Sequence, residues 1–203
     1  MFTFTSALRA LTLLALGATA ATVNAELPYK LGKPVFFGSG CPAGTVAVVP
    51  STDGHTLSVL FSDFSSKTKG SSLREYKACN LAVPMDIQPG FTAAIAKVDY
   101  RGNAYVPTAD NATAEFAAEY FFAGSNGPEL RTKYGPGFDG NIFLSDNVAS
   151  LAWSRCGAST IFRVNTQLTA QKPNGLADEV QISIDTADNH FGGFYYKIEY
   201  KAC

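Results

Sequence analysis

The chain has 203 residues, with 16 basic and 17 acidic side chains and a formal net charge of −1 at pH 7. Such a balance provides no electrostatic attraction to nucleic acid or to an anionic membrane, so we expect neither as a partner. Charged residues make up 16% of the chain and aromatic residues 12%, which is more typical of a secreted all-β domain than of a helical one.

The N-terminal segment has the features of a secretory signal peptide. Arg9 supplies a positive charge, a short apolar run follows it, and Val-Asn-Ala at 23–25 is a small-residue cleavage signal. The apolar run is too short to cross a bilayer, and no later segment is long and apolar enough to do so. We predict a signal peptide over 1–25, with cleavage after Ala20 as the alternative, and a secreted domain over 26–203.

The secreted part is long enough for one hydrophobic core, so we predict a single domain. Loss of the signal peptide removes one basic residue, Arg9, and no acidic one, which leaves a net charge of −2. This change does not alter the expectation about nucleic acid and membranes. The oligomeric state is left open.

Four cysteines lie in the secreted part, and an even number in an oxidising compartment predicts two disulfides. Three connectivities are possible. We favour Cys41–Cys79 with Cys156–Cys203, because sequential pairing closes the shorter loops. A bonded Cys203 would also hold the end of the chain in place. No CxxC pair is present and both histidines are far from any cysteine in sequence, so we predict neither a metal nor another cofactor.

Apolar side chains recur at every second position through most of the secreted part, as at 57–61 and 194–198. The alanine-rich segment 111–120 could be read as a short helix, but the β-forming residues after it favour a strand. Many short strands separated by turn signals predict an all-β, antiparallel β-sandwich. Strands are predicted at 44–49, 57–61, 75–83, 91–100, 116–123, 149–155, 162–168, 180–184 and 194–200.

Two segments have the composition of exposed loops. Residues 124–141 are rich in glycine and proline, which predicts a long loop. Asn-Ala-Thr at 111–113 is the N-glycosylation sequon of the chain, and it follows the turn-forming residues 107–110. We therefore predict a glycan on Asn111.

Three aromatic residues are candidates for a recognition surface. Tyr134 and Phe138 occur in the glycine- and proline-rich segment, where the sequence offers them little to pack against. Tyr195 should face away from Phe194 and Tyr196, because alternate residues of a strand point to opposite faces. Exposed aromatic rings stack on sugars or anchor protein partners, so we predict that Tyr134, Phe138 and Tyr195 contribute to binding.

Motifs for catalysis are weak in this chain. Residues 38–43 match the pattern G-x-G-x-x-A, but a strand-like segment follows where dinucleotide binding needs a helix, which indicates a chance match. Two histidines, His55 and His190, are too few for a typical zinc site, and no G-x-S-x-G elbow is present. A carboxylate pair for glycoside cleavage requires no fixed spacing in sequence. The candidates are Asp63, Asp99, Glu115, Glu119 and Glu199.

Several short motifs together carry a family resemblance. They are Gly-Cys-Pro at 40–42, the segment 57–64 ending in Phe-Ser-Asp-Phe, Cys79, Tyr-Arg-Gly at 100–102 and Trp-Ser-Arg-Cys-Gly at 153–157. With their spacing, the chain resembles a family of small secreted proteins of fungi and some bacteria that is catalogued as a domain of unknown function. The similarity spans most of residues 36–168. It implies a signal peptide, a β-rich domain with four cysteines, and no catalytic residues to carry over.

These observations predict a secreted protein that binds a partner and does not act as a catalyst. The expected partner is a polysaccharide or a protein of a host or cell wall, and the expected role is wall-associated or effector-type, in a fungus-like microbe. The alternative is a secreted polysaccharide hydrolase or lyase that uses paired carboxylates. A structural component of the wall or matrix is a third possibility.

Overall fold

A computed structural model describes residues 27–147, 153–184 and 193–203. These residues form thirteen β-strands and no helix. The predicted signal peptide lies outside the described residues. The strands are β1 (Tyr29–Leu31), β2 (Val35–Phe37), β3 (Val46–Pro50), β4 (Thr56–Phe61), β5 (Ser65–Lys67), β6 (Arg74–Ile87), β7 (Phe91–Tyr105), β8 (Thr113–Phe122), β9 (Glu129–Tyr134), β10 (Asp139–Asn147), β11 (Thr160–Gln171), β12 (Gln181–Ser183) and β13 (Gly193–Ala202).

The strands pair into two antiparallel sheets. In the first sheet the order is β1-β6-β11-β8-β9, and β2 also pairs with β6. In the second sheet the order is β3-β4-β13-β7-β12-β5, and β10 also pairs with β7. Since β10 pairs with Lys97 through Tyr105 along one edge of β7, β13 and β12 share its other edge. Strand β7 therefore lies inside the second sheet, with neighbours on both sides.

One hydrophobic core lies between the two sheets, because every second side chain of the long strands points inward. The ring of Phe194 on β13 lies at its centre. The ring centroid of Phe194 is 4.7 Å from those of Phe61 and Tyr100 in the second sheet, and 6.3 Å from that of Phe116 in the first. The predicted all-β, antiparallel β-sandwich is confirmed.

Both predicted disulfides are confirmed. Cys41–Cys79 joins the segment before β3 to β6, and both cysteines are buried. Cys156–Cys203 joins the end of the chain to the segment before β11. The backbone N–H of Cys203 also donates to the carbonyl of Gly90 at 2.9 Å, so the C-terminus is held by a covalent and a hydrogen bond.

Pairing with other strands decides the secondary structure of the segments in which the sequence was ambiguous or misleading. The alanine-rich segment is strand β8, which pairs with β11 on one edge and β9 on the other. The prediction of a long loop over 124–141 is wrong, because β9 and the start of β10 lie there. Strand β9 pairs with the preceding strand β8, and β10 pairs with β7. Residues 149–152 of the strand predicted at 149–155 lie outside the described residues, and Trp153 forms a single bridge to Ala94.

Candidate functional site

The outer face of the second sheet is polar along β7. Val98 and Tyr100 point into the core and are fully buried, so Lys97, Asp99 and Arg101 point outward. From Lys97 to Arg101 the inward and outward side chains alternate one residue at a time. The same geometry that builds the core thus places three charged side chains in a row on the opposite face.

Neighbouring strands add further side chains to this row. On β13, Tyr195 pairs with Asp99 and Lys197 pairs with Lys97. The register of this pairing shifts immediately after Lys197, so the regular alignment of the two strands ends there. On β10, Phe143 pairs directly with Arg101, and its side chain is 57% exposed. The arrangement therefore combines cations, one carboxylate and two aromatic rings on a sheet face.

Arg101 lies between the two aromatic rings. The guanidinium carbon of Arg101 is 5.1 Å from the ring centroid of Phe143 and 5.9 Å from that of Tyr195. Because β10 and β13 flank β7, the rings approach Arg101 from opposite sides. Cation–π contacts of this kind hold a guanidinium in place without using an acceptor for its N–H groups.

Asp99 is the carboxylate at the centre of the row. Its Oδ2 lies 3.0 Å from Nζ of Lys97, and its side chain is 17% exposed. Its Oδ1 is buried and has no hydrogen-bond partner among the described residues. Leaving a buried carboxylate oxygen unpaired is costly, and the ion pair of Oδ2 with Lys97 offsets part of that cost.

The side chains surround a shallow depression of about 290 Å³. Ligand pockets commonly enclose about 300–1,000 Å³, so this volume is at the small end of the range. It suits one unit of a longer ligand that extends over the sheet. We refer to the lining residues together with Phe143 as the β7 platform: Thr56, Lys97, Asp99, Arg101, Phe143, Tyr195 and Lys197.

The structure places only one of the three predicted recognition residues, Tyr195, on the β7 platform. Tyr134 ends β9 and Phe138 directly precedes β10, and their ring centroids are 4.5 Å apart. Both side chains are partly buried against the core, and burial raises the pKa of the Tyr134 hydroxyl above its usual value. The sequence shows no packing partner for either ring, because in the structure each ring packs on the other. Their part in recognition stays a prediction.

Two residues of the platform were not predicted as site residues, Arg101 and Phe143. Arg101 was noticed only within the motif Tyr-Arg-Gly at 100–102. In this motif the side chain of Tyr100 is buried in the core and that of Arg101 faces outward. Gly102 has no room for a side chain, because a Cβ there would lie 2.0 Å from the backbone oxygen of Ser183 on β12. Alternation along β7 could have placed Arg101 outside, but no local signal joins it to Phe143.

A second, more charged cleft lies where β5 of one sheet approaches β6 of the other, with a volume of about 300 Å³. Lys67 in this cleft forms an ion pair with Glu179, and Glu75 accepts a hydrogen bond from the hydroxyl of Ser72. No exposed aromatic ring lines it. It therefore lacks the combination of ring and polar group found on the β7 platform.

Asn111 is exposed and lies in the turn before β8, with a left-handed backbone (φ 65°). We expect an N-glycan on it, because an exposed sequon in a turn is accessible to modification during secretion. Treatment of the secreted protein with an N-glycosidase should lower its mass by that of the glycan. The variant Asn111→Gln should show no such change, and an unchanged mass of the wild type would contradict the prediction.

The described ranges contain neither a cluster of metal-ligating side chains nor a membrane-spanning helix. No three His, Cys, Asp or Glu side chains among them are grouped so that they could hold a metal ion. No helix within the same ranges has the length and apolar character needed to span a membrane.

Comparison with known proteins gives a family. The family model described as a domain of unknown function (DUF4360) matches residues 30–203, so the chain belongs to that family. An uncharacterised secreted protein of the fungus Arthroderma benhamiae is 30% identical over 157 residues. That alignment covers 74% of this chain and 63% of the relative, so the chain spans less than two thirds of the relative's length. The family resemblance found in the sequence is confirmed.

Among solved structures, that of TmCBM61 in complex with β-1,4-galactotriose matches over 87% of this chain and 89% of its own. The identity is 9% and the TM-score is 0.31. Similarity at this level assigns neither a fold nor a ligand to the chain.

Proposed function

We propose that this member of the DUF4360 family is a secreted, non-catalytic protein that binds polysaccharide through the β7 platform. The observation that carries the proposal is the position of Arg101 between the exposed ring of Phe143 and the ring of Tyr195, beside Asp99. Sugar recognition needs both elements at once. An aromatic face packs on the C–H groups of the sugar ring, while charged and polar side chains exchange hydrogen bonds with the hydroxyls.

The shape of the site favours a polymer over a small molecule. The β7 platform is a shallow depression on an open sheet face, and its volume would enclose only a small part of a ligand. A chain of sugars can lie across such a face and add contacts beyond the depression. Rigid strands hold the platform, so little conformational entropy is lost when it binds.

Other properties support an extracellular role. Two disulfides fit a protein that folds in an oxidising compartment, and the similar fungal protein is described as secreted. These properties support our proposal of a role at the cell wall of a fungus-like microbe or of an effector-type role outside it. A host or wall protein is the second candidate partner, since Val35 and Phe37 on β2 are more than half exposed.

The alternative of a polysaccharide hydrolase or lyase is less well supported by the surroundings of the candidate carboxylates. Asp99 and Glu199 contact Lys97 and Lys197, respectively, and Glu115 contacts Arg131. Glu119 accepts a hydrogen bond from Asn165, and Asp63 from Ser65. Each of these carboxylates is thus already engaged by a neighbouring cation or hydrogen-bond donor, whereas glycoside cleavage uses a pair of carboxyl groups that face one bond of the substrate. These residues are therefore better suited to binding.

Loss of the Phe143 ring should weaken binding to polysaccharide. We expect Phe143→Ala to lower the affinity for a bound polysaccharide about tenfold, because stacking and apolar burial are both lost. Pull-down with insoluble polysaccharides, followed by titration with soluble oligosaccharides of the bound type, would measure this. The release of reducing ends from the same samples reports any hydrolysis.

A matched control uses another exposed aromatic residue. Tyr76 on β6 is 47% exposed and belongs to the other sheet, so Tyr76→Ala removes a ring of similar size away from the platform. Its binding should equal that of the wild type. Equal loss of binding in the two variants, or release of sugar that stops when Asp99 or Glu199 is replaced, would contradict the proposal.

A further inference from the structure

We infer that the polysaccharide recognised by the β7 platform is acidic, and that Arg101 binds the carboxylate of a uronic acid unit. This inference rests on the proposed function and adds the class of ligand to it. It depends on the ion pairing and hydrogen bonding of the Arg101 side chain, which differ from those of the lysines on the same face.

The lysines of the platform have carboxylate partners, and Arg101 has none among the described residues. Lys97 lies 3.0 Å from Asp99, and Lys197 lies 3.2 Å from Glu199. The side chain of Arg101 forms no ion pair or hydrogen bond with a described residue, and its described contacts are the two rings. Among the described residues, the lining of the depression contains three cations and one carboxylate. Glu199, the partner of Lys197, adds a second carboxylate, so one positive charge is left without a carboxylate partner. That charge belongs to Arg101.

The guanidinium group has donors that match a carboxylate. It presents five N–H groups in a fixed plane, and two of them can reach both oxygens of one carboxylate at once. The rings of Phe143 and Tyr195 limit the movement of the Arg101 side chain, so binding costs less side-chain entropy than it would for a free arginine. An arginine held between rings is thus prepared for a planar, bidentate acceptor.

The neighbouring residues fit the rest of a uronic acid unit. A sugar ring that stacks on Phe143 would bring its carboxylate, which lies at the ring edge, next to Arg101, since the two residues are directly paired across β10 and β7. Asp99 lies two residues from Arg101 on the same face of β7, where Nζ of Lys97 contacts its Oδ2. The ring and the carboxylate of the sugar unit would each have a partner.

The inference can be tested with polygalacturonate and the same polymer after complete methyl esterification, which removes the charge and keeps the sugar. We expect the wild-type protein to bind the free acid at least about tenfold more tightly, as measured by titration calorimetry with oligomers of each form. Arg101→Gln should weaken binding of the acid by about 10- to 100-fold and binding of the ester much less, so that the preference for the acid is lost. Arg101→Lys, which keeps the charge without the fork, should restore only part of the loss.

Controls separate this inference from the proposed function. Lys133→Gln removes one positive charge from β9 on the other sheet and should have no effect on either polymer. Equal affinity of the wild type for acid and ester, unchanged in Arg101→Gln, would overturn the acidic ligand and leave polysaccharide binding intact. Tighter binding of dextran sulfate, with Arg101→Lys equal to wild type, would indicate general polyanion binding and also overturn it. Failure to bind any polysaccharide would reject both proposals.

Discussion

Replacing Phe194 with alanine should lower the free energy of unfolding by about 3–5 kcal/mol, the largest effect we expect from one core substitution. The ring of Phe194 lies within 6.3 Å of five other aromatic rings, measured between centroids, and it touches residues of both sheets. Alanine would leave a cavity that these large rings cannot fill, because each is also packed against other strands. Equilibrium unfolding in denaturant, with the disulfides intact, would measure the change.

Two further variants make this prediction specific to the core. Phe143→Ala is the same substitution on the exposed face of the second sheet, and we expect it to cost less than about 1 kcal/mol. Phe194→Leu fills most of the volume and should cost less than Phe194→Ala. A loss below about 1 kcal/mol for Phe194→Ala would show that the ring cluster does not hold the two sheets together.

Removal of the disulfide Cys41–Cys79, by replacing both cysteines with alanine, should cost about 4 kcal/mol of stability. The bond joins residues 38 positions apart, and the estimate follows from the chain entropy that it removes from the unfolded state. Both cysteines are buried, so their removal also costs packing between the segment before β3 and strand β6. Thermal and denaturant unfolding of the oxidised proteins would measure the loss.

The second disulfide provides the internal comparison. Cys156–Cys203 joins residues 47 positions apart, so chain entropy alone predicts a similar loss for its removal. Cys203 is exposed at the end of the chain, however, and its removal leaves little packing to lose. We therefore expect the double alanine variant of this pair to be the more stable of the two. The reverse order would mean that burial does not add to the effect of the first disulfide.

Local information was sufficient to predict eight of the thirteen described strands and the side of the sheet on which their residues lie, but it missed β1, β2, β5, β9 and β10. The alternation around Val59 and Tyr196 predicted buried positions, and both are fully buried. It also placed Tyr195 on the opposite face. Local composition gave a wrong prediction at 124–141. The glycine and proline residues there flank β9 and precede β10, and composition does not show which strands β9 and β10 pair with.

The functional site was only partly predictable for the same reason. Tyr195 was found because the period of a strand orients each side chain by itself. Tyr134 and Phe138 were grouped with it by composition, and the structure instead packs them on each other. Arg101 and Phe143 belong to strands that the chain does not connect directly, so their contact could not be inferred from neighbouring residues.

The sequence by itself determined the all-β class, the inward and outward faces of the strands it predicted, the favoured disulfide pairing and the family resemblance, since these depend on neighbouring residues, spacing and short motifs. Only the tertiary structure decided which strands are neighbours and in what register. The pairing of β7 with β10 and β13 placed Arg101 between Phe143 and Tyr195. Strand partners are chosen by the burial of one core shared by two whole sheets, and that choice is a property of the complete fold.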